Sequence, residues 1–157
     1  MRKGFTLIEV LISLTIIGLL FGFGFANFRD YSRRQQLLSV ARNLKGQIRL
    51  VQSKASAGEK PDDIKCNGTN TLSSYSFQIV STTSYRTVAN CMGGNVTIKT
   101  ENLPDGISMS PTSGIISFKV LGQGTNITAG GSFVITLTQT GTGSTSLVTV
   151  TAGGEIK

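Results

Sequence analysis

The sequence predicts an α+β protein, with one long N-terminal helix packed on an antiparallel β-sheet body. Three observations carry this prediction. Residues 5–28, FTLIEVLISLTIIGLLFGFGFANF, are almost wholly apolar and hold one charge, Glu9. Leu37, Ala41, Leu44, Ile48, Val51 and Ala55 then recur at alternating spacings of four and three, which makes a single apolar stripe at the helical period. Beyond residue 63 the pattern changes to short alternating runs rich in β-branched residues, separated by Gly, Asn and Ser clusters.

The elements come in order. Residues 1–4, MRKG, form a short basic leader. Residues 5–28 have the length of a membrane-spanning half-helix, which needs about 20 apolar residues. A cleaved secretory signal fits less well, because its apolar core is shorter, about 7–15 residues, and is followed by a small-x-small site. Residues 29–57 continue as an amphipathic half-helix, with Arg, Lys and Gln off the apolar stripe. No Pro precedes Pro61, so nothing interrupts the helix at the membrane boundary. One helix of roughly 80 Å is expected from residue 5 to residue 57, at about 1.5 Å per residue. Gly58 and then Pro61 end it. The β body is expected over 64–157. Runs at 75–80, 95–100, 115–120, 133–138 and 147–151 predict five to seven antiparallel strands. The pairs Gly93-Gly94, Gly130-Gly131 and Gly153-Gly154 mark turns. The stripe on 37–55 is expected to cover the apolar face of the sheet.

Composition narrows the function. The chain has no His, so histidine bases, Ser-His or Cys-His nucleophile pairs and His metal sites are all absent. With acid–base groups this sparse, an enzyme is not expected, nor is a cofactor or metal. Residues 1–60 hold ten Lys/Arg against three acids, while 61–157 hold five of each, so the net +7 lies wholly in the first third. Such asymmetry points to a membrane or interaction segment joined to a neutral folded body.

Glu9 is the chemically informative residue. A carboxylate inside a bilayer costs about 2.5–3.5 kcal/mol on insertion scales and usually has a partner. Either Glu9 lies near the interface or a cation from another molecule meets it at the same depth, because Lys3 and Arg29 sit at or beyond the ends of the segment. The string MRKGFTLIEVLISL resembles the prepilin leader with its cleavage and methylation site: a basic leader, Gly4, Phe5 and Glu9 ahead of a long apolar run. The resemblance implies a type IV pilin-like fold, cleavage after Gly4 by a membrane-embedded prepilin peptidase, and methylation by the same enzyme of the new amine on Phe5. That amine could neutralise Glu9 of a neighbouring subunit during assembly. A second, shorter resemblance joins Ile115–Gly124 and Val148–Lys157 to the endings of GspH/FimT-like minor pilins and pseudopilins. The chain departs from many type IV pilins in having Ala26 where a helix-kinking Pro often stands. It also carries Arg29, Arg33 and Arg34 after the apolar run, against Arg2 and Lys3 before it. A positive-inside count alone would leave the body in the cytoplasm. The leader motif is the more specific signal and places the body in the periplasm or outside.

Other signals are weaker. Cys66 and Cys91 either close a loop or remain two thiols. Their even count and an exported body favour the disulfide, worth about 3–4.7 kcal/mol by loop entropy. Gly18 and Gly22 form a G-x-x-x-G that permits close helix packing. Gly122-Gln-Gly124 reads as a turn, and Asp62-Asp63 as a solvated loop. The sequons at Asn67, Asn95 and Asn126 read as coincidence in a Thr-rich chain. Nucleic-acid binding is not expected, because the accessible body is neutral. The expected function is therefore structural. The chain would be a minor pseudopilin of a type II secretion pseudopilus, anchored by a single pass in the inner or cytoplasmic membrane. The alternative is a minor type IV pilin for adhesion, motility or DNA uptake. The expected partners are prepilin peptidase, other pilin or pseudopilin subunits through the N-terminal helix, and membrane lipid.

Overall fold

The computed structural model describes Gly4 and residues 6–157, and for residues 23–27 the backbone only. Helix α1 spans Leu7–Ala57, 51 residues, or about 76 Å at the ordinary helical rise. Thr6 is extended and caps its start, with its hydroxyl accepting from the backbone N–H of Glu9. Thr6 and Glu9 thus stand in the Thr-x-x-Glu spacing of a capping box, of which this hydrogen bond is one half. At the other end Gly58 adopts the left-handed conformation, φ 66°. Its N–H reaches the Ala55 carbonyl at 3.0 Å, and the N–H of Glu59 reaches that of Lys54 at 3.1 Å. This paired closure satisfies two carbonyls of the last turn and needs a residue that tolerates positive φ. The predicted helix end at residue 57 holds, and the start falls two residues inside the predicted one.

Seven strands complete the chain: β1 Leu72–Ile79, β2 Ser84–Cys91, β3 Gly94–Asn102, β4 Ile107–Ser110, β5 Gly114–Lys119, β6 Ser132–Gln139 and β7 Thr145–Thr151. They form two antiparallel sheets where one was expected, a four-stranded sheet in the order β3-β2-β1-β5 and a three-stranded sheet in the order β4-β6-β7. Strands β2 and β4 fall outside the runs read from the sequence. In β2, Arg86, Thr87 and Asn90 break the apolar alternation, and a register shift near Thr87/Val88 leaves Ile98 of β3 unpaired. β4 has four residues, too few for a periodicity to register.

The two sheets share one core. Tyr75, Phe77 and Ile79 of β1 and Ile116 and Phe118 of β5 meet Ile135 and Leu137 of β6 and Val148 and Val150 of β7 in a single buried cluster. The helix completes it. All six stripe residues, Leu37 through Ala55, are 4% exposed or less. This alternation of spacings keeps every third or fourth residue on one side of the helix. Burying the six together removes a continuous ridge from water, which is the main term holding α1 to the sheets.

Candidate assembly site and the latches that set it

Below the body the described side chains in the first half of α1 are bare. Leu7, Leu11, Leu14, Leu19, Leu20 and Phe21 are each more than half exposed. Ser13 donates to the Glu9 carbonyl at 2.8 Å and Thr15 to that of Leu11 at 2.7 Å, so both hydroxyls are satisfied within the helix. Glu9 lies at the third helical position, with Val10, Ser13 and Leu14 forming a shallow groove beside it. Among the described residues its carboxylate makes no ion pair. A negative charge in the first turn is favoured by the helix dipole. Glu9 therefore has a local role at the start of the helix. Gly18 and Gly22 are exposed and open, with nothing within 4 Å of where a side chain would start. Gly4 is exposed, and Arg2, Lys3 and the Phe5 methylation position lie outside the described residues. Among the described residues, no helix is long and apolar enough to cross a membrane. Of the predicted 5–28 span, side chains are described at 6–22 and at Phe28, and those of residue 5 and residues 23–27 lie outside that set.

Above this stretch, polar latches that the sequence did not reveal hold the helix to the body. Arg49 donates to the Ile156 carbonyl at 3.4 Å, and Gln52 to the Gly154 carbonyl at 2.9 Å. Gly154 has φ 84°, and a Cβ there would meet the Gln52 amide nitrogen at 2.8 Å. The C-terminal segment runs back along β7, with Thr149 and Lys157 exchanging backbone hydrogen bonds, and Ile156 is buried. The terminal Gly-Gly-Glu-Ile read as a family-like ending thus turns the tail and clips it to α1. Lower down, Arg33 donates to the Gly141 carbonyl at 3.5 Å, where the β6–β7 turn meets the helix. The phenol of Tyr75 donates to the Glu59 carbonyl at 2.7 Å and fixes the chain just past the helix end. Arg49 and Gln52 are legible in the sequence only as off-stripe polar residues, since no local pattern announces a partner a hundred residues away.

The Cys66–Cys91 pair is bonded, with Cα atoms 5.3 Å apart. It ties the loop after α1 to the end of β2. A third cluster, also unforeseen, borders a cleft of about 350 Å³ between α1 and the β3–β4 loop, lined by Val40, Asn43, Tyr85, Glu101 and Leu103 among others. The Tyr85 phenol donates to Glu101, and Lys99 pairs with the same carboxylate. Burial, and then the hydrogen bond to Glu101, push the Tyr85 phenol far above its ordinary range. The Lys99 ammonium, then the Tyr85 hydrogen bond, hold the Glu101 carboxyl below the usual carboxylate range, against a smaller opposing effect of burial. The cluster holds a neutral phenol against a paired carboxylate and so locks β2 to β3. Among the described residues, no group of His, Cys, Asp and Glu is placed to hold a metal ion.

Comparison with known families gives a match for each half of the chain, the second to a family that the sequence reading did not name, and neither match distinguishes the GspH/FimT-like subtype. Residues 1–25 match the family Prokaryotic N-terminal methylation motif. Residues 66–153 match the family Putative Ig domain. No curated protein and no solved structure matches the chain significantly. A constant-type immunoglobulin sandwich also divides seven strands four and three. Here the larger sheet opens with the meander β3-β2-β1, so its strand order differs from that sandwich, and α1 adds its stripe to the core.

Proposed function

From the premise that this chain belongs to the Putative Ig domain family through its β body and carries the methylation motif of prepilin-like proteins, we propose that it is a minor pseudopilin of a type II secretion pseudopilus. In this reading it is a structural subunit, not an enzyme. It is held by a single pass in the inner membrane with its body in the periplasm, and assembly extracts it into the filament. The observation that carries the reading is the Gly4-to-Glu9 motif placed at the foot of a 51-residue helix. The upper stripe of that helix is buried in its own body, and the described side chains of its lower half are bare. A helix with one half packed and the other apolar and open is built to be covered by lipid before assembly and by other helices after it. Glu9 would pair with the Phe5 amine of a neighbour, and Gly18 and Gly22 would allow close approach.

Intact mass of the full chain from cells with and without prepilin peptidase tests this. Loss of residues 1–4 and gain of one methyl group, in the peptidase-bearing strain alone, is expected. An uncut chain in both strains overturns the reading. A minor type IV pilin shares every one of these features. Deleting the gene separates the two, because a pseudopilin mutant loses protein secretion and keeps its surface pili.

A further inference from the structure

Between the bare apolar stretch and the packed stripe lies a short collar whose chemistry differs from both. Phe28 and Tyr31 are 67% and 61% exposed. Arg29 and Arg34 are exposed, and the Arg33 side chain is 36% exposed. Successive helical residues are about 100° apart, so these five side chains are spread round the helix with no gap wider than about 100°. A face that docks on one protein would concentrate them on one side, as Leu37 to Ala55 are concentrated. Encirclement at one level suits a planar environment that meets the helix all round. The collar rises about 9 Å along the axis, comparable to one headgroup layer of a bilayer. A tyrosine at that level fits the membrane–water interface, where such rings are enriched, and arginines near the end of a spanning helix reach out to it.

The body ends at the same height. Arg33 reaches the Gly141 carbonyl in the β6–β7 turn, so this turn stands at the collar. The segment Thr140-Gly-Thr-Gly-Ser144 carries no charge. The acids nearby are Asp30, which Arg33 faces at 4.0 Å, and Asp105, beside the Gly106 carbonyl that accepts from Thr140. Three arginines against Asp30 leave the collar cationic.

We propose that Arg29, Arg33 and Arg34, flanked by Phe28 and Tyr31, bind the phosphate headgroups of anionic lipid, and that the β6–β7 turn rests on that surface. The proposal builds on the membrane-anchored reading above. Arg42 and Lys45 begin about 12 Å further up the helix, beyond the ~8 Å Debye length at physiological salt, and do not take part. Anionic lipid then holds the subunit in place, and extraction into a filament must break this hold.

The test uses the full chain in nanodiscs of equal phosphatidylglycerol and phosphatidylcholine, with retained lipid counted by native mass spectrometry. Wild type should retain phosphatidylglycerol preferentially. R29Q/R34Q, which spares the Arg33–Gly141 contact, should lose preference by roughly fivefold per arginine, the factor for about 1 kcal/mol per surface cation. R42Q/K45Q should match wild type. Insertion with no lipid preference, or equal loss in the two variants, overturns the collar and leaves the anchored reading standing. Failure of the chain to enter these bilayers overturns both.

Discussion

Replacing Ile48 by Ala measures how far the helix and the sheets depend on each other. Ile48 is fully buried at the middle of the stripe. The substitution removes three carbons, about 2.4 kcal/mol at ~0.8 kcal/mol per buried methylene. The cavity left behind adds to this, so the cost should fall within the ~2–5 kcal/mol range of such core truncations. For a domain of this size that lowers the melting temperature by roughly 5–15 °C. Leu50→Ala is the internal control, because Leu50 is 51% exposed on the outward face of the same helix. Its cost should stay within about 0.5 kcal/mol. Both variants keep helix propensity high, since Ala is the best helix former, so the difference isolates tertiary packing. Pulse proteolysis of the full chain in detergent across a urea series reads both. Equal small losses would refute the claim that the stripe joins helix to body, and equal large losses would show that Leu50 is covered.

Three further outcomes are expected. Cys66→Ser with Cys91→Ser should cost about 2–4 kcal/mol, because the bond constrains the unfolded chain, and thermal unfolding with and without reductant should show the same loss in wild type alone. Glu101 has a lowered carboxyl, so its contribution is present above its ordinary value of 4.5 and is lost as pH falls through the depressed one. A urea midpoint series from pH 6 to pH 3 should therefore fall less steeply in Glu101→Gln than in wild type, and parallel curves would contradict the Lys99–Glu101–Tyr85 cluster. Gly154→Ala forces a side chain into positive φ and onto the Gln52 amide, which should cost on the order of 1–3 kcal/mol and expose the tail to carboxypeptidase. Unchanged protection would show that the tail is not clipped to α1.

The legible parts of this protein are those whose causes are local. A helix closes hydrogen bonds four residues apart, so its period, its Gly58 terminus and its buried stripe are all written within one stretch of chain. The methylation motif is likewise contiguous, which is why Gly4, Phe5 and Glu9 stand out without any knowledge of the fold. The capping role of Thr6 is equally local, as a Thr-x-x-Glu spacing, and escapes a reading that weighs Glu9 for its charge alone. The β body is harder. Alternation finds β1, β5, β6 and β7, whose inward sets are apolar, and β3, where Val96 and Ile98 alternate with polar residues although neither is fully buried. It passes over β2, whose polar Arg86 and Asn90 serve a hydrogen-bonded outer face, and β4, which is too short.

The sequence alone determined the long helix, the face it buries, the methylation motif at its start and the antiparallel character of the β body. Tertiary structure decided how seven strands divide into two sheets and how the C-terminal tail reaches Arg49 and Gln52. It also decided that Tyr85, Lys99 and Glu101 form one cluster. Each of these joins residues far apart in the chain. Strand pairing and long-range hydrogen bonds depend on which partners the shared core brings together, and a pattern read along one segment carries no record of the segment that will lie beside it.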